Sequence, residues 1–210
     1  MSKTKNNKKI KAILFDLGQV ILDFDFEPAF RKLSRFTRRS PEQIQAYFYA
    51  SGLEALYDGG KISSQTFHRE VKKALGHTLD YNEFKKIWNN VFTLNPRVAR
   101  LIKNLKSRYR LVLISNTNAM HYEYVRIKYP VLSCFDKHIL SFKEKARKPD
   151  KRIYQTAVKA CRARPAEILY IDDREDLIEA AKGLGFHTFT FKNNLTDLRN
   201  RLRTLRILES

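Results

Sequence analysis

The chain has 210 residues, of which 43% are hydrophobic and 12% aromatic, a composition typical of a globular protein with a sizeable core. Its opening apolar stretch is interrupted by Asp16 and Gly18, so the sequence predicts neither a secretory signal nor a transmembrane helix. The two cysteines, Cys134 and Cys161, form no metal-binding or disulfide pattern, and we expect a cytoplasmic protein in which both are reduced.

The charge is unusual: 41 Lys and Arg against 22 acidic residues give a formal net charge of +19. The basic residues are distributed among the N-terminal tail, a helix at 97–110 and the last turns of the chain. Since no nucleic-acid-binding motif accompanies them, a nucleic acid is not the predicted partner. A solvated basic surface, or one that attracts small anionic substrates, is the favoured interpretation.

The first hundred residues divide into three parts. Residues 1–11 are a basic tail that we predict to be disordered. Residues 12–16 form an apolar run typical of a strand buried on both faces of a parallel sheet. Residues 24–92 show helical spacing without strand-like alternation, and predict four short helices that form a cap inserted after the first strand. The helix-start signals in this segment are Ser40-Pro41-Glu42, Ser63 or Ser64, and Asp80.

The remainder of the chain alternates between helices and strands. Helices are predicted from Asn95-Pro96 onward and at 149–162, 177–184 and 196–205. Strands are predicted at 111–115, less strongly at 138–140, and at 187–191, with another that ends on Asp172-Asp173. This order predicts an α/β fold with a Rossmann-like parallel sheet and helices on both faces. The core would comprise 12–23 and 93–210, and the cap 24–92.

Three predicted strands end on polar residues: Asp16, the group Ser115-Asn116-Thr117, and the pair Asp172-Asp173. Because the carboxyl ends of parallel strands share one edge of the sheet, these residues are expected to converge there. Carboxylates and a hydroxyl suit Mg²⁺ and phosphate, and Lys148 would add a positive charge. A backbone carbonyl turned toward a metal beside Asp16 would also explain the flexible residue Gly18.

The same segments carry a family resemblance. FDLGQVILD, ISNTN, KPDKRIYQ and YIDDREDLIEAAKGLG resemble, in order, the four motifs of the haloacid dehalogenase superfamily, over residues 12–192. The third and fourth motifs, in this order and spacing, are the specific ones. The chain is most similar to the capped phosphatases whose first motif reads DLGNV, a group that includes α-D-glucose-1-phosphate phosphatase.

The resemblance implies a magnesium-dependent phosphatase that hydrolyses a small phosphorylated metabolite, with sugar phosphates among the candidates. Asp16 would attack the phosphorus and form an aspartyl-phosphate, and Lys148 would steady the charge of both nucleophile and phosphate. The phosphate-binding residues would be Ser115, Asn116 and Lys148. The Mg²⁺ ligands would be Asp16, the Gly18 carbonyl, Asp172 and Asp173, the last directly or through water.

One departure from the family pattern affects the predicted chemistry. Phosphatases of the superfamily usually carry a second acid two residues after the nucleophile, where this chain, like the DLGNV group, has a glycine, Gly18. General acid–base catalysis contributes about 10²–10⁴ in rate, so esters with poor leaving groups should react slowly. Asp23, Asp25 and His121 are the candidates for a substitute acid.

Two alternative functions remain open at this point. A carbon–halogen hydrolase would use the same nucleophile without a metal, and the acidic pair Asp172-Asp173 argues against it. The other alternative is a catalytically weak domain that acts through a partner or its basic surface, which the glycine at position 18 favours. The sequence names neither the substrate nor the oligomeric state.

Overall fold

The structure is a computed structural model that describes residues 9–209. The predicted basic tail, residues 1–11, lies outside the described residues except for its last three. Within the described part of the chain, no helix is both long and apolar enough to cross a membrane.

Five parallel strands form the central sheet, in the order β5-β4-β1-β6-β7, and the predicted Rossmann-like α/β fold is confirmed. β1 occupies the middle and pairs with β4 on one side and β6 on the other. Its four residues are fully buried, as expected of a central parallel strand. The strands of the chain are β1 (Ala12–Phe15), β2 (Leu22–Phe24), β3 (Phe92–Leu94), β4 (Arg110–Ser115), β5 (Lys137–Leu140), β6 (Ile168–Asp172) and β7 (His187–Thr190).

Helices cover both faces of this sheet. Successive side chains of β1 point to opposite faces, so Ile13 and Phe15 pack in one apolar cluster while Ala12 and Leu14 pack in another. The helices are α1 (Glu27–Ser34), α2 (Pro41–Ser51), α3 (Leu53–Asp58), α4 (Ser64–Leu75), α5 (Tyr81–Asn89), α6 (Pro96–Lys106), α7 (Ala119–Lys128), α8 (Ser141–Glu144), α9 (Lys151–Cys161), α10 (Glu175–Gly183) and α11 (Leu195–Thr204). The first cluster includes residues of α6, α7 and α11, and the second includes residues of α9 and α10.

The segment between β2 and β3 contains five helices, α1–α5, where the sequence predicted four. The additional helix is α3, six residues long, which follows α2 directly. Gly52 separates the two helices with a φ of 65°, a left-handed conformation that glycine adopts without steric cost. We call α1–α5 the helical insertion; its apolar residues form a separate cluster around Trp88.

The strands that flank the helical insertion pair with each other, a contact that was not predicted from the sequence. β2 and β3 form an antiparallel ribbon in which Leu22 lies opposite Leu94, and Phe24 lies opposite Phe92. The expectation that 24–92 contains only helices is therefore wrong at its two ends. Strands of three residues are too short for an alternating pattern to be seen in the sequence.

Helix α7 was also missed, and its packing explains why. Its consecutive residues Met120, His121 and Tyr122 are all buried. Met120 belongs to the apolar cluster of the helical insertion, whereas Tyr122 and Val125 belong to a cluster of the sheet. A helix that is buried on two sides lacks the single apolar stripe by which amphipathic helices are recognised.

Candidate active site

The acidic strand ends meet as predicted. Asp16 directly follows β1, and Asp172 is the last residue of the neighbouring strand β6, with Phe15 paired to Ile171. Carboxylate oxygens of Asp16, Asp172 and Asp173 all lie within 4.8 Å of one another. Three carboxylates this close repel each other and offer the oxygen ligands that a divalent cation prefers.

Lys148 bridges two of these carboxylates. Its Nζ donates to Asp16 Oδ1 and to Asp172 Oδ2, each at 2.6 Å. All three side chains are buried, and that of Asp172 is completely inaccessible. Buried charges are tolerated when they are paired and hydrogen-bonded in this way. The ammonium group therefore acts as the counter-charge of the acidic cluster.

Asn116 holds Lys148 in place. Its side-chain amide donates to the Lys148 carbonyl at 3.0 Å and accepts from the Lys148 N–H at 2.8 Å. One amide N–H and the amide oxygen of Asn116 are thus used to position the Lys148 backbone. Ser115, the residue before Asn116, is the last residue of β4. It is buried at the edge of the sheet where the strands end on the acidic cluster.

Asp172 is held by two further donors. The hydroxyl of Tyr170 donates to Asp172 Oδ2, and the backbone N–H of Arg174 donates to Asp172 Oδ1 at 3.0 Å. The pKa of the Asp16 carboxyl is raised to about 7, because burial and the charge of nearby Asp172 outweigh the attraction of Lys148. Burial and the charge of Asp172 also raise the pKa of Asp173. The cluster is thus short of positive charge.

Gly18 has a different structural role from the one expected. The sequence assigned a backbone turn to Gly18, but the left-handed residue is Gln19, with a φ of 53°. A Cβ on Gly18 would lie 2.9 Å from Cε1 of Phe24, closer than side-chain carbons pack. A side chain at this position would have to displace the Phe24 ring, which approaches the Gly18 backbone.

A cavity of about 170 Å³ opens beside the acidic cluster. The polar strand end of β4 forms one side, and three aromatic rings and two acids of α3 form another. The lining residues from the core are Leu17, Gly18, Ser115, Asn116, Thr117, Asn118 and His121, and those outside it are Phe24, Phe26, Glu54, Asp58 and Phe92.

The candidates for a substitute acid fare differently. His121 lines the cavity, but its Nδ1 contacts Asn118 at 3.2 Å and its Nε2 contacts the Trp88 carbonyl at 3.2 Å. Burial lowers its pKa to about 4, so it is neutral at physiological pH. Asp25 accepts a hydrogen bond from the Glu27 N–H and lines a separate, larger cavity, and Asp23 lies in β2. None of the three is a free acid facing the end of β4 at Ser115 and Asn116.

The larger cavity, of about 520 Å³, lies within the helical insertion. Phe24, Phe26 and Glu54 line both cavities, so the two adjoin. Neither Glu54 nor Asp58 is among the site residues predicted from the sequence. No local signal marks them, because their place beside the strand ends depends on how α3 packs over the sheet.

The fold and the cluster of strand-end acids are those of a known class of enzymes. Residues 10–185 match the haloacid dehalogenase-like hydrolases, and the chain belongs to this family. The predicted superfamily and the hydrolase class are confirmed.

Individual relatives within this family are similar to most of the chain. A D-ribitol-5-phosphate phosphatase of Bacteroides thetaiotaomicron is 29% identical over 203 residues, which cover 93% of this chain and 98% of the relative. The crystal structure of a haloacid dehalogenase family enzyme from the same organism, in complex with magnesium and inorganic phosphate, is 26% identical and superimposes with a TM-score of 0.80 over 87% of this chain and 94% of that one. A predicted hydrolase of this family from Porphyromonas gingivalis is 26% identical, with a TM-score of 0.81 over 94% and 98%.

Proposed function

We propose that the chain is a Mg²⁺-dependent phosphatase that hydrolyses a small phosphorylated metabolite, a sugar or sugar-alcohol phosphate, through an aspartyl-phosphate on Asp16. The observation that carries the proposal is the acidic cluster at the strand ends, with carboxylates of Asp16, Asp172 and Asp173 within 4.8 Å and Lys148 between two of them. The relatives named above support both the metal and the substrate class.

The donor set fits Mg²⁺, which prefers carboxylate oxygens together with water and phosphate oxygens. Asp16, Asp172 and Asp173 would hold the ion, with the Gly18 carbonyl as a further proposed ligand. A bound Mg²⁺ would supply positive charge beside the nucleophile and the transferred phosphoryl group. The raised pKa of Asp16 fits this arrangement, because an added cation favours the ionised carboxylate.

The chain's own residues would act as follows. Asp16 would attack the phosphorus in line with the leaving oxygen, with Lys148 orienting its carboxylate at 2.6 Å. Ser115 and the backbone N–H of Asn116 would donate to the phosphate oxygens, which carry negative charge throughout the transfer. The aromatic wall of the cavity would exclude bulk water from the reacting bond.

Phosphate release tests this proposal. D-ribitol 5-phosphate, α-D-glucose 1-phosphate and an activated aryl phosphate would be assayed with free Mg²⁺ and with chelator. We expect release only with Mg²⁺, and Asp16→Asn should lower it by at least about 10³-fold because the amide cannot act as the nucleophile. Asp197→Asn, on the exposed surface of α11, is the matched control.

The two alternatives predict other results. Halide release from a 2-haloacid without Mg²⁺ would favour the carbon–halogen hydrolase. A folded protein that releases phosphate from none of the esters would favour a catalytically weak domain acting through a partner. Glucose 1-phosphate and ribitol 5-phosphate are compared directly, because the sequence resemblance favours the first and the relative from Bacteroides favours the second.

A further inference from the structure

We propose that the carboxyl group of Glu54, on helix α3 of the helical insertion, is the acid–base residue of this site and replaces the acid that is absent at position 18. The inference rests on the proposed phosphatase function and assigns to it a catalytic residue outside the four sequence motifs. It answers a specific deficiency, since no side chain at Gly18 can deliver a proton to the departing oxygen.

The position of Glu54 supports this role. It lines the 170 Å³ cavity together with Gly18, Ser115 and Asn116, and it also lines the 520 Å³ cavity of the insertion. A phosphate placed at the strand ends, with its leaving group in the larger cavity, puts the bond to be broken at the junction of the two. Glu54 is the one acid, among residues 9–209, that lines both cavities.

The Glu54 carboxyl is also unoccupied by other contacts. In the described part of the chain it has no hydrogen-bond or ion-pair partner. Asp58, one helical turn away on the same face of α3, differs: its Oδ1 accepts from Asn118 at 3.0 Å, and its Oδ2 lies 4.0 Å from Arg147. The backbone carbonyl of Asp58 also accepts from Ser141. These contacts of Asp58 attach α3 to the core. Glu54 makes none of them and lines the two cavities.

The surroundings of Glu54 raise the pKa of its carboxyl group toward neutral pH. Burial and, to a smaller extent, the charge of Asp58 raise the pKa of Glu54 to about 7, although the charge of Arg147 opposes both. A group with a pKa near the working pH is suited to both donating and accepting a proton. The other charged residues around the larger cavity, in which the leaving group would lie, are Asp25, Glu27, Arg31 and Glu42.

The proposed role comprises two proton transfers. When the Asp16 oxygen bonds to phosphorus and the bond to the leaving oxygen breaks, protonated Glu54 gives its proton to that oxygen, which departs as an alcohol. Ionised Glu54 then takes a proton from the water that attacks the aspartyl-phosphate. The new P–O bond forms as the bond to Asp16 breaks, which yields inorganic phosphate and restores both residues.

The test compares leaving groups in the Glu54→Gln variant. For an alkyl phosphate such as D-ribitol 5-phosphate, kcat/KM should fall by about 10²–10³-fold, whereas for an activated aryl phosphate it should change by less than about threefold. Glu54→Asp keeps an acid and should retain part of the alkyl activity. Glu70→Gln, the same substitution elsewhere in the insertion, is the control and should change neither rate.

The pH profile gives a second readout. Because the protonated form is needed, alkyl-ester kcat/KM in the wild type should decline as pH rises above about 7, and this decline should be absent in Glu54→Gln. Equal losses on both esters, or no loss on the alkyl ester, in an active folded enzyme would overturn the role of Glu54 alone. A wild-type protein inactive on every phosphate ester would instead overturn the proposed function, and this role with it.

Discussion

Replacing Lys148 by Met is the sharpest test of how the acidic cluster is held together. The substitution keeps much of the side-chain volume but removes the charge that contacts Asp16 and Asp172 at 2.6 Å. Both carboxylates would remain buried without that counter-charge, a situation that costs about 3–5 kcal/mol in measured cases. We therefore expect Lys148→Met to have a much lower free energy of unfolding than the wild type, both measured in the presence of a chelator.

The pH dependence of this loss can be worked out. The variant can relieve the unpaired charge by binding up to about one more proton than the wild type does. With an unfolded carboxyl pKa of 3.8, placing one proton on a carboxylate costs about 5 kcal/mol at pH 7.5 and about 2 kcal/mol at pH 5.5. The deficit of the variant should thus shrink as the pH is lowered, by at most about 1.4 kcal/mol for each unit, and by less where wild-type Asp16, with its pKa of about 7, takes up a proton as well.

Urea unfolding of the variant and the wild type at pH 5.5, 6.5 and 7.5 measures the difference in their free energies of unfolding. Lys151→Met, the same substitution at an exposed position, should change stability by less than about 0.5 kcal/mol at every pH. A Lys148→Met deficit below about 1 kcal/mol at pH 7.5, or one that is the same at pH 5.5, would refute Lys148 as the counter-charge of the cluster.

Two further predictions follow from contacts next to the cluster. Gly18→Ala should destabilise the protein by about 1–3 kcal/mol, because its Cβ would meet the Phe24 ring at 2.9 Å, and Phe24→Leu in the same chain should recover most of this loss in urea unfolding. If the backbone conformation at Gly18 were the cause of the loss, Phe24→Leu would not restore stability. Tyr170→Phe removes a donor to Asp172 and should weaken Mg²⁺ binding about 10–100-fold by isothermal titration, while an unchanged affinity would show that the hydroxyl does not orient the ligand.

The fold was largely readable from the sequence because its signals are local. Apolar runs that end on polar residues at Asp16, Ser115 and Asp172 correctly indicated parallel strands whose carboxyl ends converge. What the sequence did not indicate depends on contacts between distant segments. The β2–β3 ribbon joins residues about 70 positions apart, and its strands have no pattern of their own.

The same limit applies to the candidate site. The positions of Asp16, Asp172, Asp173 and Lys148 followed from the motifs. The use of Asn116 to hold Lys148 and the place of Glu54 beside the strand ends did not, because each is fixed by packing across the fold. For Gly18 the expected reason was a flexible turn of the backbone, whereas the positive φ belongs to Gln19 and the feature that crowds a side chain at Gly18 is the Phe24 ring.

The two-sided burial of helix α7 bears on how this enzyme could be re-engineered. Met120 is fully buried in the apolar cluster of the helical insertion, and its N–H donates to the Tyr57 hydroxyl at 3.0 Å. The next residue, His121, contacts the Trp88 carbonyl. A chimera that exchanges only residues 24–92 with a relative would therefore pack a foreign insertion against this chain's own Met120 and His121. The unit to be exchanged in such a graft is the insertion together with the first turn of α7.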